Sequence, residues 1–395
     1  MQIVIVDDDA SQRHYLAALL RRMDHEVMAA PDGETALELL RSSDAAMLVC
    51  DVDMPEMDGL TLSRTVRGLD LGRYIYVLMV TGHDRRENHV AGLEAGADDF
   101  MSKPVDASIL ALRVRAAERL VNYEAELQAS RRWLERAYET IRQDLDAAAK
   151  AQQHLLPPLK AQISSCRFSS QFIPSSAVSG DVFGYFPVPE NKVAFYAADV
   201  SGHGVRAALS AVALAHLVTP EFFWTAVSNG RLDGGGFCAA GLARALDKRF
   251  TGADDDDNYV TMFGATLNEA SDELSFCQAG YPSPLMIRAS GEIEWIGAGG
   301  MPVGMLPFAE FESDTVAFRR ADRLLVCSDG VVEAENADGE AFGEERLADF
   351  VCRHPAARSP ELVEDIAAHL RQWTGAHAFA DDVSIIMIER EDDKC

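Results

Sequence analysis

Ala198-Asp199-Val200-Ser201-Gly202-His203-Gly204 is the stretch that decides the fold of the second half of this chain, because an apolar run ends there in an aspartate and a glycine-containing turn. Three more aspartates lie in comparable turns: Ser179-Gly180-Asp181, Ser328-Asp329-Gly330 and Asp381-Asp382-Val383-Ser384. Most of these turns adjoin a β-type run, so folding must bring the carboxylates together. Oxygen ligands suit Mg²⁺ and Mn²⁺ better than zinc, and two such ions can clamp a phosphoryl oxygen and hold a water. The pattern predicts metal-dependent phosphoester hydrolysis.

Composition limits the classes of protein to which the chain can belong. Its 395 residues predict two or three domains, and no stretch reaches the length of a membrane span. The amino terminus, Met1 to Asp7, lacks the basic region of a signal peptide and is predicted to be a buried strand. Seven scattered cysteines, never spaced as Cys-x-x-Cys, favour a reduced cytoplasm. The net charge of −27 argues against nucleic acid and anionic membranes as partners.

Short apolar runs alternate with helical patterns over residues 1–120, which predicts βαβ units and a parallel sheet covered on both faces. In such sheets, functional residues gather at the carboxyl ends of the strands. The residues predicted at those ends are Asp7, Asp8, Asp51, Thr81 and Lys103. A lone aspartate after a strand is usually a turn former or helix cap, but five polar residues at the right strand ends favour a functional pocket.

At these residues, and in Asp51 to Gly59 and Lys103-Pro104, residues 1–120 closely resemble the receiver domain of two-component response regulators. The resemblance implies a doubly wound, flavodoxin-like α/β fold. It also implies that Asp51 accepts a phosphoryl group from a sensor histidine kinase or phosphotransfer protein. Mg²⁺ would be held by Asp8, Asp51 and the backbone carbonyl of Asp53, with Asp7 in the outer sphere.

Three further positions receive roles from the same resemblance. Lys103 would pair with the acceptor and then with the phosphoryl group, and Thr81 would donate a hydrogen bond to a phosphoryl oxygen. Phe100 occupies the position where receivers often carry an aromatic residue that turns inward on activation. It is equally well explained as a plain core residue, and the sequence leaves both interpretations open.

The segment 121–157 is predicted to be a helical linker, since strong helix formers dominate and Pro157-Pro158 ends the pattern. Apolar residues recur at intervals of seven: Leu120, Leu127, Leu134, Ile141, Ala148 and Leu155. The positions three residues later are weaker, with Ser130 and Asp144 among them. We call the residues that recur at intervals of seven the seam of the helix. A regular apolar seam beside a second, less apolar set of positions predicts a metastable coiled coil, and therefore a homodimer formed through the linker. The alternative is a solitary amphipathic helix.

The remaining residues, 158–395, show many strand patterns and few helices, which predicts an α+β sandwich. With Tyr259 to Phe263 and Ala279 to Leu285, the four aspartate motifs resemble the bacterial sporulation and stress-response branch of the type 2C serine/threonine phosphatases. That family uses two Mn²⁺ or Mg²⁺ ions.

The resemblance assigns each ligand by position. Asp199 would bridge both metals, and the backbone carbonyl of Val200 would be a further ligand. The remaining ligands would be Asp329 and Asp381 at the second metal and Asp181 as an outer carboxylate of the first. Asp382 is the alternative to Asp381, because the alignment across this pair is ambiguous.

The chain departs from the family pattern at two places. Gly184 stands where the family commonly has another acid, so one contact to the first metal is expected to be lost. His203 cannot inherit the proton-donor role of a histidine that the eukaryotic branch places nearer the bridging aspartate. It is predicted to be an exposed loop residue.

Receiver, helix and phosphatase together predict a signalling protein. In families of this shape, the substrate is a phosphorylated anti-sigma-factor antagonist. The alternative is a non-catalytic adaptor whose phosphatase-like domain binds a sigma factor or an anti-sigma regulator, but adaptors are expected to lose metal ligands. A DNA-binding output is disfavoured, since no helix-turn-helix pattern follows the receiver.

Overall fold

The structure is a computed structural model that describes residues 1–82, 86–202, 204–229, 238–250, 259–354, 358–375 and 377–391, without the side chains of 86–89. The chain divides into two compact units, Met1–Thr140 and Ile141–Cys395. We call these the amino-terminal and the carboxy-terminal unit.

The amino-terminal unit is built on a parallel five-stranded sheet in the order β2-β1-β3-β4-β5. Its strands are β1 (Gln2–Val6), β2 (Glu26–Ala30), β3 (Met47–Asp51), β4 (Tyr76–Thr81) and β5 (Asp99–Ser102). Its short helices are α1 (Ala10–Arg21), α2 (Gly33–Ser42), α3 (Gly59–Gly68) and α4 (Arg86–Glu94). Every residue of β3 and β4 is buried, as expected for central strands with a core on each face. The predicted doubly wound fold is confirmed.

A single helix, α5, runs from Ala107 to Gln153. Its predicted seam is largely exposed, with Leu127, Leu134 and Ile141 between 53% and 62% accessible. The last seam members, Ala148 and Leu155, instead line a cavity of the carboxy-terminal unit. The long helical linker is therefore confirmed, and most of its seam lies open in the single chain.

The carboxy-terminal unit contains two antiparallel sheets. The first has the order β14-β11-β10-β9-β8 and the second the order β13-β12-β15-β16-β7-β6. The strands are β6 (Lys160–Ile163), β7 (Cys166–Ile173), β8 (Asp181–Val188), β9 (Lys192–Val200), β10 (Val260–Asn268), β11 (Glu273–Ala279), β12 (Leu285–Ile287), β13 (Ile293–Trp295), β14 (Asp314–Ala317), β15 (Arg323–Cys327) and β16 (Val383–Arg390). The helices are α6 (Val205–Leu217), α7 (Pro220–Asn229), α8 (Ala240–Phe250), α9 (Asp329–Val332), α10 (Gly343–Arg353) and α11 (Ser359–Thr374).

Three hydrophobic cores show that these elements form four layers. Phe168, Phe183 and Phe263 belong to the core between the two sheets. The helices α6, α7 and α8 cover the outer face of the first sheet, and α10 and α11 cover that of the second. Strand β16 serves two cores, because Ile385 faces the helices while Ile386 faces the other sheet. The predicted α+β sandwich is confirmed.

No single helix among the described residues has the length and apolar character needed to cross a membrane. Only α6 and α7 taken together reach that threshold, and the chain bends by 75° between them.

Candidate functional site

An acidic pocket, which we define as Asp7, Asp8 and Asp51, lies at the carboxyl edge of the parallel sheet. One carboxylate oxygen from each residue lies within 4.8 Å of the other two, and among the described residues this is the one such group of three. Asp7 and Asp51 are buried, whereas Asp8 is exposed. The pocket combines oxygen ligands with an open side, which is what a divalent cation that keeps some of its water requires.

Lys103 joins the pocket from the loop after β5. Its Nζ lies 2.9 Å from Oδ2 of Asp7 and 3.0 Å from Oδ1 of Asp51. Burial raises the pKa of Asp51, although the hydrogen bond from Lys103 opposes this effect. Burial also tends to lower the pKa of Lys103, but its hydrogen bonds to Asp7 and Asp51 raise it overall. One ammonium group does not balance three carboxylates, so the charge of the pocket suits a cation.

The other predicted receiver residues occupy the expected elements. Thr81 is the last residue of β4 and is fully buried, and its carbonyl accepts a hydrogen bond from the Lys103 backbone at 2.8 Å. Asp53 is exposed in the loop after β3. Phe100 is 8% exposed in the core, and its ring is so near α4 that a Cβ on Gly92 would lie 1.8 Å from it. The ring is thus inward in this structure.

A carboxylate cluster, which we define as Asp181, Asp199, Asp329 and Asp381, is supplied by both sheets of the carboxy-terminal unit. Asp181 begins β8 and pairs directly with Asp199 near the end of β9. Asp329 follows β15 at the start of α9, and Asp381 precedes β16, the neighbour of β15. Strand ends therefore position all four residues.

The members of the carboxylate cluster are buried and influence one another electrostatically. Burial, followed by the charges of Asp329 and Asp381, raises the pKa of Asp199 to about 8. Burial and the charge of Asp199 raise the pKa of Asp181 well above its ordinary value. Burial, with the charge of Asp381, also raises the pKa of Asp329 to about 6.

A cation would compensate this negative charge. Within the described ranges, no lysine or arginine forms an ion pair with the cluster. No three of its carboxylates place oxygens within 4.8 Å of one another. Carboxylate oxygens are ligands that Mg²⁺ and Mn²⁺ accept, and the coordination shells of these ions commonly include water.

Asp381 and Asp382 have different surroundings. Both carboxylate oxygens of Asp382 accept hydrogen bonds from the backbone, Oδ1 from Ser175 at 2.7 Å and Oδ2 from Gly180 at 2.9 Å. Asp382 is 7% exposed, whereas Asp381 is half-buried and, among the residues that the structure describes, accepts a hydrogen bond only from the amide of Asp382. This geometry favours Asp381 as the ligand and gives Asp382 the role of fixing the turn before β8.

Two residues of this region, Ser384 and Gln152, were not predicted from the sequence to be functional. Ser384 donates a 2.6 Å hydrogen bond to Oδ2 of Asp181, and Gln152 binds the backbone of Ser179. Ser384 lies on β16, two residues after Asp382, which directly precedes this strand. Because side chains alternate along a strand, this spacing predicts that both residues face the same side. Nothing in the sequence around Gln152 signals its contact.

Steric contact with a neighbouring strand explains why glycine occupies residue 184, where the family commonly has an acid. Gly184 pairs with Tyr196 on β9, and a Cβ at residue 184 would lie 2.5 Å from the tyrosine ring. Tyr196 is itself 4% exposed and belongs to the core under α6. A side chain at residue 184 would therefore require the Tyr196 ring to move or to be replaced. His203 lies outside the described residues.

Two family models match separate parts of the chain. The response regulator receiver domain matches residues 3–115, and stage II sporulation protein E (SpoIIE) matches residues 189–391, just over half of the chain. The chain belongs to the SpoIIE family. The predicted combination of an amino-terminal receiver with a carboxy-terminal SpoIIE-type phosphatase domain is confirmed, and this SpoIIE-family chain is a response regulator of the two-component type.

Curated relatives match this SpoIIE-family chain over part of their length. Phosphoserine phosphatase RsbP of Bacillus subtilis (strain 168) is 26% identical over 250 residues, which cover 63% of this chain and 58% of that protein. The Regulator of RpoS of Escherichia coli (strain K12) is 30% identical over 214 residues, which cover 54% of this chain and 63% of that protein. The chain thus spans less than two thirds of either relative.

Among solved structures, the SiaA-PP2C domain of Pseudomonas aeruginosa matches with a TM-score of 0.55 at 21% identity. The match covers 65% of this SpoIIE-family chain and 99% of that domain. It identifies the PP2C fold of the carboxy-terminal unit.

The raised carboxyl pKa values predict how stability depends on pH. Asp199 has an ordinary pKa of 3.8 and a folded-state pKa of about 8, so between these values the folded chain holds a proton that the unfolded chain releases. The metal-free protein should therefore lose stability as the pH rises through this window. Because a cation replaces the protons, Mn²⁺ should raise Tm more at about pH 8 than at about pH 5. Thermal unfolding with and without Mn²⁺ measures this, and Asp199→Asn should reduce the difference. Equal Tm increments at both pH values would contradict the prediction.

Proposed function

We propose that this chain is a response regulator whose receiver controls a metal-dependent phosphoserine/phosphothreonine protein phosphatase in the cytoplasm. The observation that carries the proposal is the carboxylate cluster, in which all four aspartates are present, adjacent and without a cationic partner among the described residues. Buried like charges without compensation are costly, and a binding function explains why they are there.

We assign the members of the cluster the roles that the resemblance to the type 2C phosphatases implies. Two Mn²⁺ or Mg²⁺ ions, when bound, would activate water and neutralise charge on the phosphoryl group. The residues that would hold them are Asp199 between the two ions, Asp181 towards the first, Asp329 and Asp381 at the second, and the carbonyl of Val200. Ser384 orients Asp181 through its hydrogen bond, and Asp382 fixes the turn through Ser175 and Gly180.

In the receiver, we assign Asp51 as the phospho-acceptor for a sensor histidine kinase or phosphotransfer protein. Mg²⁺ would be held by the Asp8 and Asp51 carboxylates and the Asp53 carbonyl, with Asp7 in the outer sphere. Lys103, which already contacts Asp7 and Asp51, would hold the acceptor carboxylate and then the transferred group. The Thr81 hydroxyl would bind a phosphoryl oxygen.

The exposed seam of α5 supports a homodimer. Apolar side chains at Leu127, Leu134 and Ile141 would be buried against a second copy of the helix. As the substrate we propose a serine-phosphorylated anti-sigma-factor antagonist, a choice supported by the similarity to phosphoserine phosphatase RsbP.

The alternative function is an adaptor that binds without hydrolysis, and the similarity to the Regulator of RpoS is the observation that favours it. The test is phosphate release by the purified chain from serine-phosphorylated anti-sigma-factor antagonists of the same organism, with Mn²⁺ and with a chelator. Hydrolysis that needs the metal supports the phosphatase. A chain that binds these partners or a sigma factor without releasing phosphate supports the adaptor.

Coupling between the units is predicted to depend on the rotational phase of α5. Two residues inserted near Ser130 would rotate one end of the helix by ~200° relative to the other, while seven inserted residues would nearly restore the phase. We expect the two-residue insertion to abolish the dependence of phosphatase rate on Asp51 phosphorylation, and the seven-residue insertion to retain it. Phosphate release before and after receiver phosphorylation measures this. If both insertions respond like the wild type, α5 is only a tether.

A further inference from the structure

Gln152, at the end of α5, is bound to the turn that precedes Asp181. Its Nε2 donates to the carbonyl of Ser179 at 2.6 Å, and its Oε1 accepts the Ser179 amide at 3.0 Å. Gln152 is 7% exposed and Ser179 1%. One side-chain amide therefore satisfies both backbone groups of a buried residue that lies just before β8.

The turn held by Gln152 leads directly into the carboxylate cluster. Gly180 follows Ser179 and donates to Asp382, and Asp181 follows Gly180 and pairs with Asp199. The turn also packs tightly, since a Cβ on Gly180 would lie 3.1 Å from Oδ1 of Asp199. A displacement of Ser179 would consequently move the carboxylates of Asp181 and Asp199 relative to each other.

The side chains around Gln152 offer few polar groups that could replace its hydrogen bonds to the Ser179 backbone. A cavity of about 340 Å³ adjoins the Gln152 side chain, and most of its lining is apolar, including Leu155, Val178, Val205 and Leu209. Buried backbone groups that lose their partners cost ~1–3 kcal/mol each in general, so the turn should rearrange if Gln152 cannot bind it.

We propose that Gln152 is a positioning residue that sets the affinity of the carboxylate cluster for divalent cations by holding the Ser179–Asp181 turn. This inference rests on the proposed metal site. Partners outside the ligand set of a metal commonly change its affinity by about 10- to 100-fold, because they fix the orientation of the ligands. We expect an effect of about tenfold, since Gln152 acts on Asp181 through the backbone.

The test compares Gln152→Met with Gln152→Ala in the full-length chain. Methionine keeps the length of the side chain but makes neither hydrogen bond, whereas alanine also removes the packing. Gln153→Met is the matched control, because Gln153 is the exposed neighbour. All proteins carry Asp8→Asn to weaken the receiver site, and the spectroscopic signal of free Mn²⁺ measures binding.

We expect both Gln152 variants to bind Mn²⁺ about tenfold more weakly than the control, whatever their metal-free Tm. Wild-type affinity in Gln152→Met overturns the proposal and leaves Gln152 a packing role. If Gln152→Met does not fold, Gln152→Glu decides in the same way, because a carboxylate cannot donate to the Ser179 carbonyl. If Asp199→Asn takes up as much Mn²⁺ as the protein with Asp199 intact, the proposed metal site is wrong, and this inference fails with it.

Discussion

Replacing Asp199 by asparagine is expected to abolish metal-dependent phosphate release while phosphorylation of Asp51 continues. Asp199 pairs with Asp181 in the first sheet, and the charges of Asp329 and Asp381 from the second sheet act on it, so it interacts with all three other members of the cluster. Loss of a central ligand should exceed the roughly 10- to 100-fold effect of an outer partner. We expect a loss of at least ~1000-fold in kcat/KM, or about 4 kcal/mol of transition-state stabilisation. Phosphate release from a serine-phosphorylated antagonist measures it.

The control for this variant separates lost chemistry from lost folding. Asp338→Asn removes an exposed aspartate from a turn of the same unit and should leave the rate unchanged. Asp199→Asn also removes a charge that raises the pKa of Asp181, so the metal-free variant should be at least as stable as the wild type. Undiminished phosphate release from Asp199→Asn would favour the adaptor function.

The fold was predictable wherever one residue type marks the end of a strong pattern. Apolar runs such as Val260 to Leu267 are long enough to identify strands, and turns such as Ser328-Asp329-Gly330 mark the end of others. The five receiver residues could be placed for the same reason, since each follows or ends a buried parallel strand. The short strands β6, β13 and β14 and the helices α7 and α9 were not predicted. The strands have three or four residues each, too few for a periodicity to develop.

Contacts between a side chain and the backbone of a residue distant in the chain could not be predicted from the sequence. Asp381 and Asp382 are adjacent and chemically identical, and the structure distinguishes them by burial and by the hydrogen bonds that Ser175 and Gly180 donate to Asp382. Gln152 stands in an ordinary helical pattern, and its partner is the backbone of Ser179, which no pattern of residue types reveals. Such contacts depend on which buried backbone groups lack a partner, and that is known only after the strands are placed.

Asp51→Asn is expected to abolish phosphorylation of the receiver by acetyl phosphate and Mg²⁺, which should add one phosphoryl group to the wild type. Asp51 is 5% exposed, and its Oδ1 lies 3.0 Å from Nζ of Lys103. Asparagine cannot attack phosphorus as a carboxylate does, and it also leaves the Lys103 ammonium group with one carboxylate fewer. Intact-protein mass spectrometry measures the label.

The matched control is Asp53→Asn, since this exposed residue is assigned to the Mg²⁺ site only through its backbone carbonyl. It should be labelled like the wild type, whereas a loss of labelling would assign the Asp53 side chain a direct role. If Asp51→Asn is labelled as fully as the wild type, another residue is the acceptor. Asp7 and Asp8 would then be the candidates, because their carboxylates share the pocket, and fragmentation of the labelled protein would locate the phosphoryl group between them.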